Sequence, residues 1–127
     1  CGICSTPPHR EIHKTALGAE LSVDWEYYEN TVDCVQALKA KGYTVFAVEQ
    51  VDNSVKMGDD LTEHMQLPVA IVFGNEVEGV ADDVVACCDG SLEIPQYGTK
   101  HSLNVSCAAA IAIWEMNRLF GSGIDKQ

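Results

Sequence analysis

The polar residues of this chain that could do chemistry gather in two short stretches, each placed directly after an apolar run. The first is Phe73-Gly74-Asn75-Glu76-Val77-Glu78-Gly79-Val80, which follows Val69-Ala70-Ile71-Val72. Its glycines permit a tight backbone, but no Lys-Ser/Thr pair follows and no Gly-x-Gly-x-x-Gly occurs. That excludes a Walker A loop and a dinucleotide fingerprint. Glu76 and Glu78 would repel a phosphate, whereas a cationic or neutral ligand bearing hydroxyls, such as a sulfonium nucleoside, suits them. The same residues also read as a glycine turn with solvated glutamates.

The second stretch, Ile94-Pro95-Gln96-Tyr97-Gly98-Thr99-Lys100-His101-Ser102-Leu103-Asn104, sets turn formers and polar groups before a very apolar segment. Ser102 suits the N-cap of a helix there, satisfying a free backbone N–H, and that does not exclude a second role. Asn104 heads an otherwise apolar run. It reads as a buried amide in need of partners, which a ligand could supply. Cys1-x-x-Cys4 followed by His9 and His13 has a spacing faintly like a metal site, yet no second cysteine pair matches it. The preferred reading is small buried thiols at a strand, two exposed histidines and no metal.

These stretches must be held by regular elements. Cys1 to Cys4 reads as the end of a strand, and Pro8 introduces a helix running to about Leu17, ended by Gly18. Leu21 to Tyr28 reads as a strand or extended segment, Thr31 opens a helix closed by Gly42, and residues 43–48 form a strand. Asp52 to Gln66 reads as a polar loop with at most one helical turn. The pentad Val69–Phe73 is continuous enough for a strand covered on both faces. Ala81 to Ala86 follows as a short helix, Ser91 to Ile94 as a strand, and Ser102 to Phe120 as the longest helix. The alternation predicts an α/β domain with a mostly parallel sheet flanked by helices. The final helix is apolar nearly all round, so its second face needs cover, and a homodimer is the preferred source.

At 127 residues the chain is expected to form a single domain, 1–127, with 121–127 a frayed tail. No apolar run approaches the roughly 20 residues that cross a bilayer. With no basic leader at Cys1, six cysteines are expected to stay reduced in a cytoplasmic setting. The net charge of −11 argues against a broad basic footprint for nucleic acid on this segment.

Val69 to Val80 resembles the second motif of the SPOUT-class, SpoU–TrmH RNA ribose methyltransferases. Ile94-Pro95-Gln96-Tyr97-Gly98 with Ser102-Leu103-Asn104-Val105-Ser106 resembles their third motif. Thr6-Pro7-Pro8-His9 and Lys14 to Ala19 are similar to segments of one branch of that family. The resemblance implies a C-terminal trefoil knot holding S-adenosylmethionine, with Gly74, Ile94, Gln96 and Leu103 framing the cofactor and Val48 touching it. It implies methyl transfer to a ribose 2′-hydroxyl of tRNA or rRNA, no metal, and a homodimer through the knot and its helix. Glu76, Ser102 and Asn104 match the family's polar functional positions. In that scheme Ser102 and Asn104 orient the reactants and Glu76 holds the loop or an arginine.

Two features depart from the family pattern. Gln96 stands where methionine is usual, and the first motif, with its Asn and catalytic Arg, would lie before Cys1. The domain is therefore expected to be truncated at its N-terminus, and Arg10 is no substitute because it follows the wrong strand. Lys14, Lys100, His101 and Arg118 are the basic groups available to RNA, of which Lys100 and His101 flank the site. The alternatives are a non-catalytic knotted dimer that binds cofactor or RNA, and a flavodoxin-like nucleotide-binding module.

Overall fold

The computed structural model describes residues 1–2, 4–75, 77–98 and 103–121. The chain divides into two compact units, Cys1–Cys34 and Val35–Gln127, the division falling within one helix.

In the first unit helix α1 spans Arg10–Ala16, with His9 Nδ1 accepting from the Glu11 N–H at 3.2 Å. The helix stops where Leu17 turns left-handed (φ 55°), and Gly18 (φ 92°) leads into a 3₁₀ turn, Ala19–Leu21. Neither 1–4 nor 21–28 forms a strand among the described residues. The two segments meet through isolated links instead: Gly2 N–H donates to Tyr28 O at 2.9 Å, and the Tyr27 hydroxyl donates to Gly2 O. One residue cannot template a ladder, so the β-rich composition of 21–28 stays unrealised. Cys1 and Cys4 are exposed rather than buried. Asn30 Oδ1 accepts from Val32 N–H at 2.9 Å and starts helix α2, Thr31–Ala40.

The second unit is built on a sheet of β1 (Thr44–Val48), β2 (Val55–Lys56), β3 (Val69–Val72) and β4 (Gly90–Glu93), in the order β2-β4-β1-β3. Every pairing in the sheet is parallel, and the described helices of this unit are the later part of α2, α3 (Asp82–Cys87) and α4 (Val105–Phe120). Central β1 buries Val45, Phe46 and Ala47 in succession, so it is covered on both faces, as a central parallel strand should be. Gly90 sits opposite Phe46, and a Cβ there would come within 2.7 Å of the ring, so β4 owes its close approach to a missing side chain. Asp89 fixes the register: its N–H donates to Val45 O (2.7 Å), its Oδ2 accepts from Val45 N–H (2.8 Å), and Lys39 stands 3.6 Å from its Oδ1.

Residues 52–66 are more structured than a polar loop. They supply β2, a 3₁₀ turn (Leu61–Glu63), and two core residues, Leu61 and Met65, packed with Phe46 and Leu92. Met116, Leu119 and Phe120 of α4 close over that cluster. Helix α4 begins at Val105 rather than Ser102, and its N-cap is Asn104, whose Oδ1 accepts from Ser106 N–H (2.9 Å) and Oγ (2.6 Å). Asn104 is exposed, not a buried amide, because the cap places it outside the packed turns. Ala108 and Ala112 are buried, while Ile113 (66%) and Trp114 (69%) are largely exposed, so α4 carries an uncovered apolar face. No described helix is long and apolar enough to cross a membrane.

Leu61 is fully buried. Leu61→Ala should therefore lower unfolding free energy by about 2–5 kcal/mol. Exposed Leu67→Ala should change it by less than about 0.5 kcal/mol. Paired urea titrations check both; equal losses would place Leu61 outside the core.

Candidate active site

In an open parallel sheet the backbone diverges at the carboxyl ends of the strands, and ligands bind there. Here β1, β3 and β4 end side by side, and the segments leaving them enclose a cavity of about 340 Å³, within the usual range for small-molecule sites. Val48, Glu49 and Gln50 line it from β1, 73–75 and 77–79 from β3, and Leu92, Glu93, Ile94 and Gln96 from β4. Leu103, Val105 and Ala108 close it from the start of α4.

The loop after β3 is folded on itself. Asn75 Oδ1 accepts from the N–H groups of Val77 (2.9 Å) and Glu78 (2.6 Å), and Gly79 N–H returns to Asn75 O at 3.0 Å. Gly79 is left-handed (φ 68°), and any Cβ on Gly74 would overlap the Gly79 carbonyl. A Cβ on Gly79 would in turn meet the Glu49 carboxylate at 2.8 Å. That carboxylate accepts from Val80 N–H through Oε2 at 3.0 Å, tying the end of β1 to the end of the loop. Glu93 Oε2 similarly accepts from Ser54 Oγ at 3.2 Å.

All five residues expected to frame a cofactor, Val48, Gly74, Ile94, Gln96 and Leu103, line this one cavity. Asn104 stands next to Leu103 without lining it. Glu76, Ser102, Lys100 and His101 lie outside the described residues. Sequence reasoning missed Glu49, Gln50 and Glu93. Their signal was position alone: each stands at or just past the end of a strand, where open sheets expose side chains to ligands. With Glu78 they put three carboxylates around apolar walls, an environment for a cation rather than an anion.

Arg118 bonds Glu115 at 2.6 Å, which holds that carboxyl below its usual range and engages the guanidinium. All six cysteines are free, and burial, reinforced by the charges of Cys87 and Asp89, pushes the Cys88 thiol up to about 11. It stays protonated near neutrality and is a poor nucleophile. Among the described residues no cluster of three His, Cys, Asp or Glu side chains could hold a metal ion.

Residues 2–114 match the model of the SpoU rRNA Methylase family. The chain belongs to this family. A Thermus thermophilus relative, a tRNA (guanosine(18)-2′-O)-methyltransferase, is 36% identical over 107 residues, covering 84% of this chain and 53% of its own length. The A. aeolicus TrmH/SpoU tRNA modifying enzyme superposes with a TM-score of 0.74 at 30% identity, over 87% of this chain and 54% of that one. An AdoMet-bound rRNA methyltransferase from Sinorhizobium meliloti gives 0.81 at 25% identity, over 94% and 44%. Both share the SpoU fold, a mostly parallel sheet flanked by helices, which leaves the flavodoxin-like alternative without support. The chain spans about half the length of the curated relatives it matches.

Glu49→Ala should leave Val80 N–H without its acceptor, at a cost of about 1–2 kcal/mol. Exchange of the Val80 amide should speed up, while Glu49→Gln, which keeps a carbonyl acceptor, restores protection. Equal exchange in all three proteins would show that the tie is not closed in solution.

Proposed function

We propose that this chain is the cofactor-binding part of an S-adenosylmethionine-dependent RNA 2′-O-methyltransferase acting on tRNA or rRNA. The observation that carries the reading is the single cavity that joins Val48, Gly74, Ile94, Gln96 and Leu103 under an acidic rim. S-adenosylmethionine supplies an electrophilic methyl group for a ribose 2′-oxygen. Its sulfonium and ribose hydroxyls suit Glu49, Glu78 and Glu93, and its adenine suits the apolar walls of Val48, Ile94 and Leu103. The protein's share of the work is positioning, which the hydrogen bonds of Asn75 and Glu49 around this loop favour.

Asn104 contributes from the rim. Its Oδ1 is committed to the α4 cap, so the Nδ2 donors are the end that faces a ligand oxygen. Glu76 and Ser102 complete the polar set of the reading. The reading assigns the role of the family's catalytic arginine to none of the described residues. The trefoil knot belongs to the same proposal, supported by Leu103, Val105 and Ala108 meeting the β1 and β3 loops at one cavity. So does a homodimer, supported by the exposed Ile113 and Trp114 face of α4. A cytoplasmic setting accords with six free cysteines.

Isothermal titration of the chain should give saturable binding of S-adenosylmethionine and its demethylated product but not of ATP. Binding of neither by a folded sample, its mass read by sedimentation, counts against the proposal. In the complete natural protein Asn104→Asp should keep the cap and cofactor affinity yet slow single-turnover methylation by about tenfold or more. Asn104→Ala should also destabilise α4 by about 1 kcal/mol. An unchanged rate in the Asp variant removes Asn104 from the chemistry.

A further inference from the structure

A second cleft, of about 570 Å³, lies wholly within the first unit. Its floor is apolar, made by Pro8, Leu21 and Trp25, and His9, Arg10 and His13 line it as well. Trp25 is 49% exposed and Leu21 83%, so an indole face and its neighbouring aliphatic surface are open at the wall of a cavity. The basic residues come from the first turns of α1 and its cap: residues 9–14 carry His9, Arg10, His13 and Lys14 against a single acid, Glu11. In a chain of net charge −11 with four histidines, this is a local reversal of sign. Asp24 and Glu26 flank Trp25 in sequence, but neither lines the cleft.

We propose that this cleft is a subsite for one nucleotide of single-stranded RNA. The base stacks on Trp25, and Arg10 meets the adjoining phosphate. An exposed indole beside a guanidinium is the pairing that holds unstacked bases, because every base offers a π-face and every link a phosphate. Charge complementarity selects this occupant over an apolar peptide, which would have no use for the Arg10 guanidinium on the wall of the cleft. The inference rests on the methyltransferase reading for its partner, and it answers how so acidic a chain grips a polyanion: through a small local site rather than a broad basic face.

The test uses Trp114→Phe protein, in which Trp25 is the remaining tryptophan, titrated with a short single-stranded oligoribonucleotide. Trp25 emission should be quenched to saturation. Arg10→Ala should weaken binding several-fold and make the salt dependence shallower by about one ion. In otherwise unaltered protein, Trp25→Ala should weaken binding of an end-labelled oligonucleotide about tenfold, and Trp25→Phe should recover part of that. S-adenosylmethionine titrations on the same variants should be unchanged, which also reports that they are folded. Cofactor binding without any Trp25 response, or wild-type RNA affinity in both Arg10→Ala and Trp25→Ala, overturns the subsite and leaves the methyltransferase reading standing. Quenching by RNA without cofactor binding supports the subsite and counts against the methyltransferase reading alone. A Trp25 signal that follows protein concentration rather than RNA assigns the cleft to a second copy and overturns the proposal.

Discussion

The arrangement of the second unit depends on β1 being paired along both edges and buried on both faces. Val45, Phe46 and Ala47 are all buried, β3 and β4 take the two ladders, and Asp89 pins the register at Val45. A strand so enclosed offers a ligand nothing along its length. Its only reactive surface is its carboxyl end, where Glu49 and Gln50 emerge between the diverging chains of β3 and β4. The cavity is thus a consequence of how completely the sheet is covered. The Glu49–Val80 bond then sets its shape by holding the β3 loop against the end of β1.

Elements with one dominant period or one strong stop were readable from the chain. The run 69–73 was readable as a strand but not as one covered on both faces: β3 takes the edge of the sheet, where Val69–Val72 are only partly buried. Gly42, left-handed at φ 93°, marks where α2 must turn. The pair of glycines at 74 and 79 was readable as a tight loop, while the cavity residues after β3 and β4 were named through the resemblance of 69–80 and 94–106 to family motifs. Residues 52–66 were not readable. Val55, Met57, Leu61 and Met65 are core or core-packed, yet polar residues separate them and they belong to no single repeating element. Their burial is a tertiary fact, fixed by β4 and α4 arriving from far along the chain. The β-rich segment 21–28 failed in the opposite sense, having composition for a strand and no partner to form a ladder with.

Asn104 illustrates a subtler misreading. An amide at the head of an apolar run suggests burial, but a helix begun at Val105 places it one residue outside, where its carbonyl serves the backbone. The duty the structure gives it is to cap α4. The charge balance behaves likewise. Its total describes the molecule poorly, since acids line the cavity while basic residues collect on α1 in the other unit.

The strand order carries a consequence for the making of this protein. β1 leaves the ribosome with neither edge satisfied. Its first partner, β3, arrives at Val69, but the second edge stays open until Gly90 has been synthesised, and β2 waits for Leu92. For that interval the nascent chain presents an apolar strand, Thr44–Val48, with free N–H and C=O groups, the kind of edge that recruits other chains. Non-local parallel pairings of this sort form slowly. The order in which the sheet is assembled therefore leaves β1 open to off-pathway pairing until the last of its partners has been made.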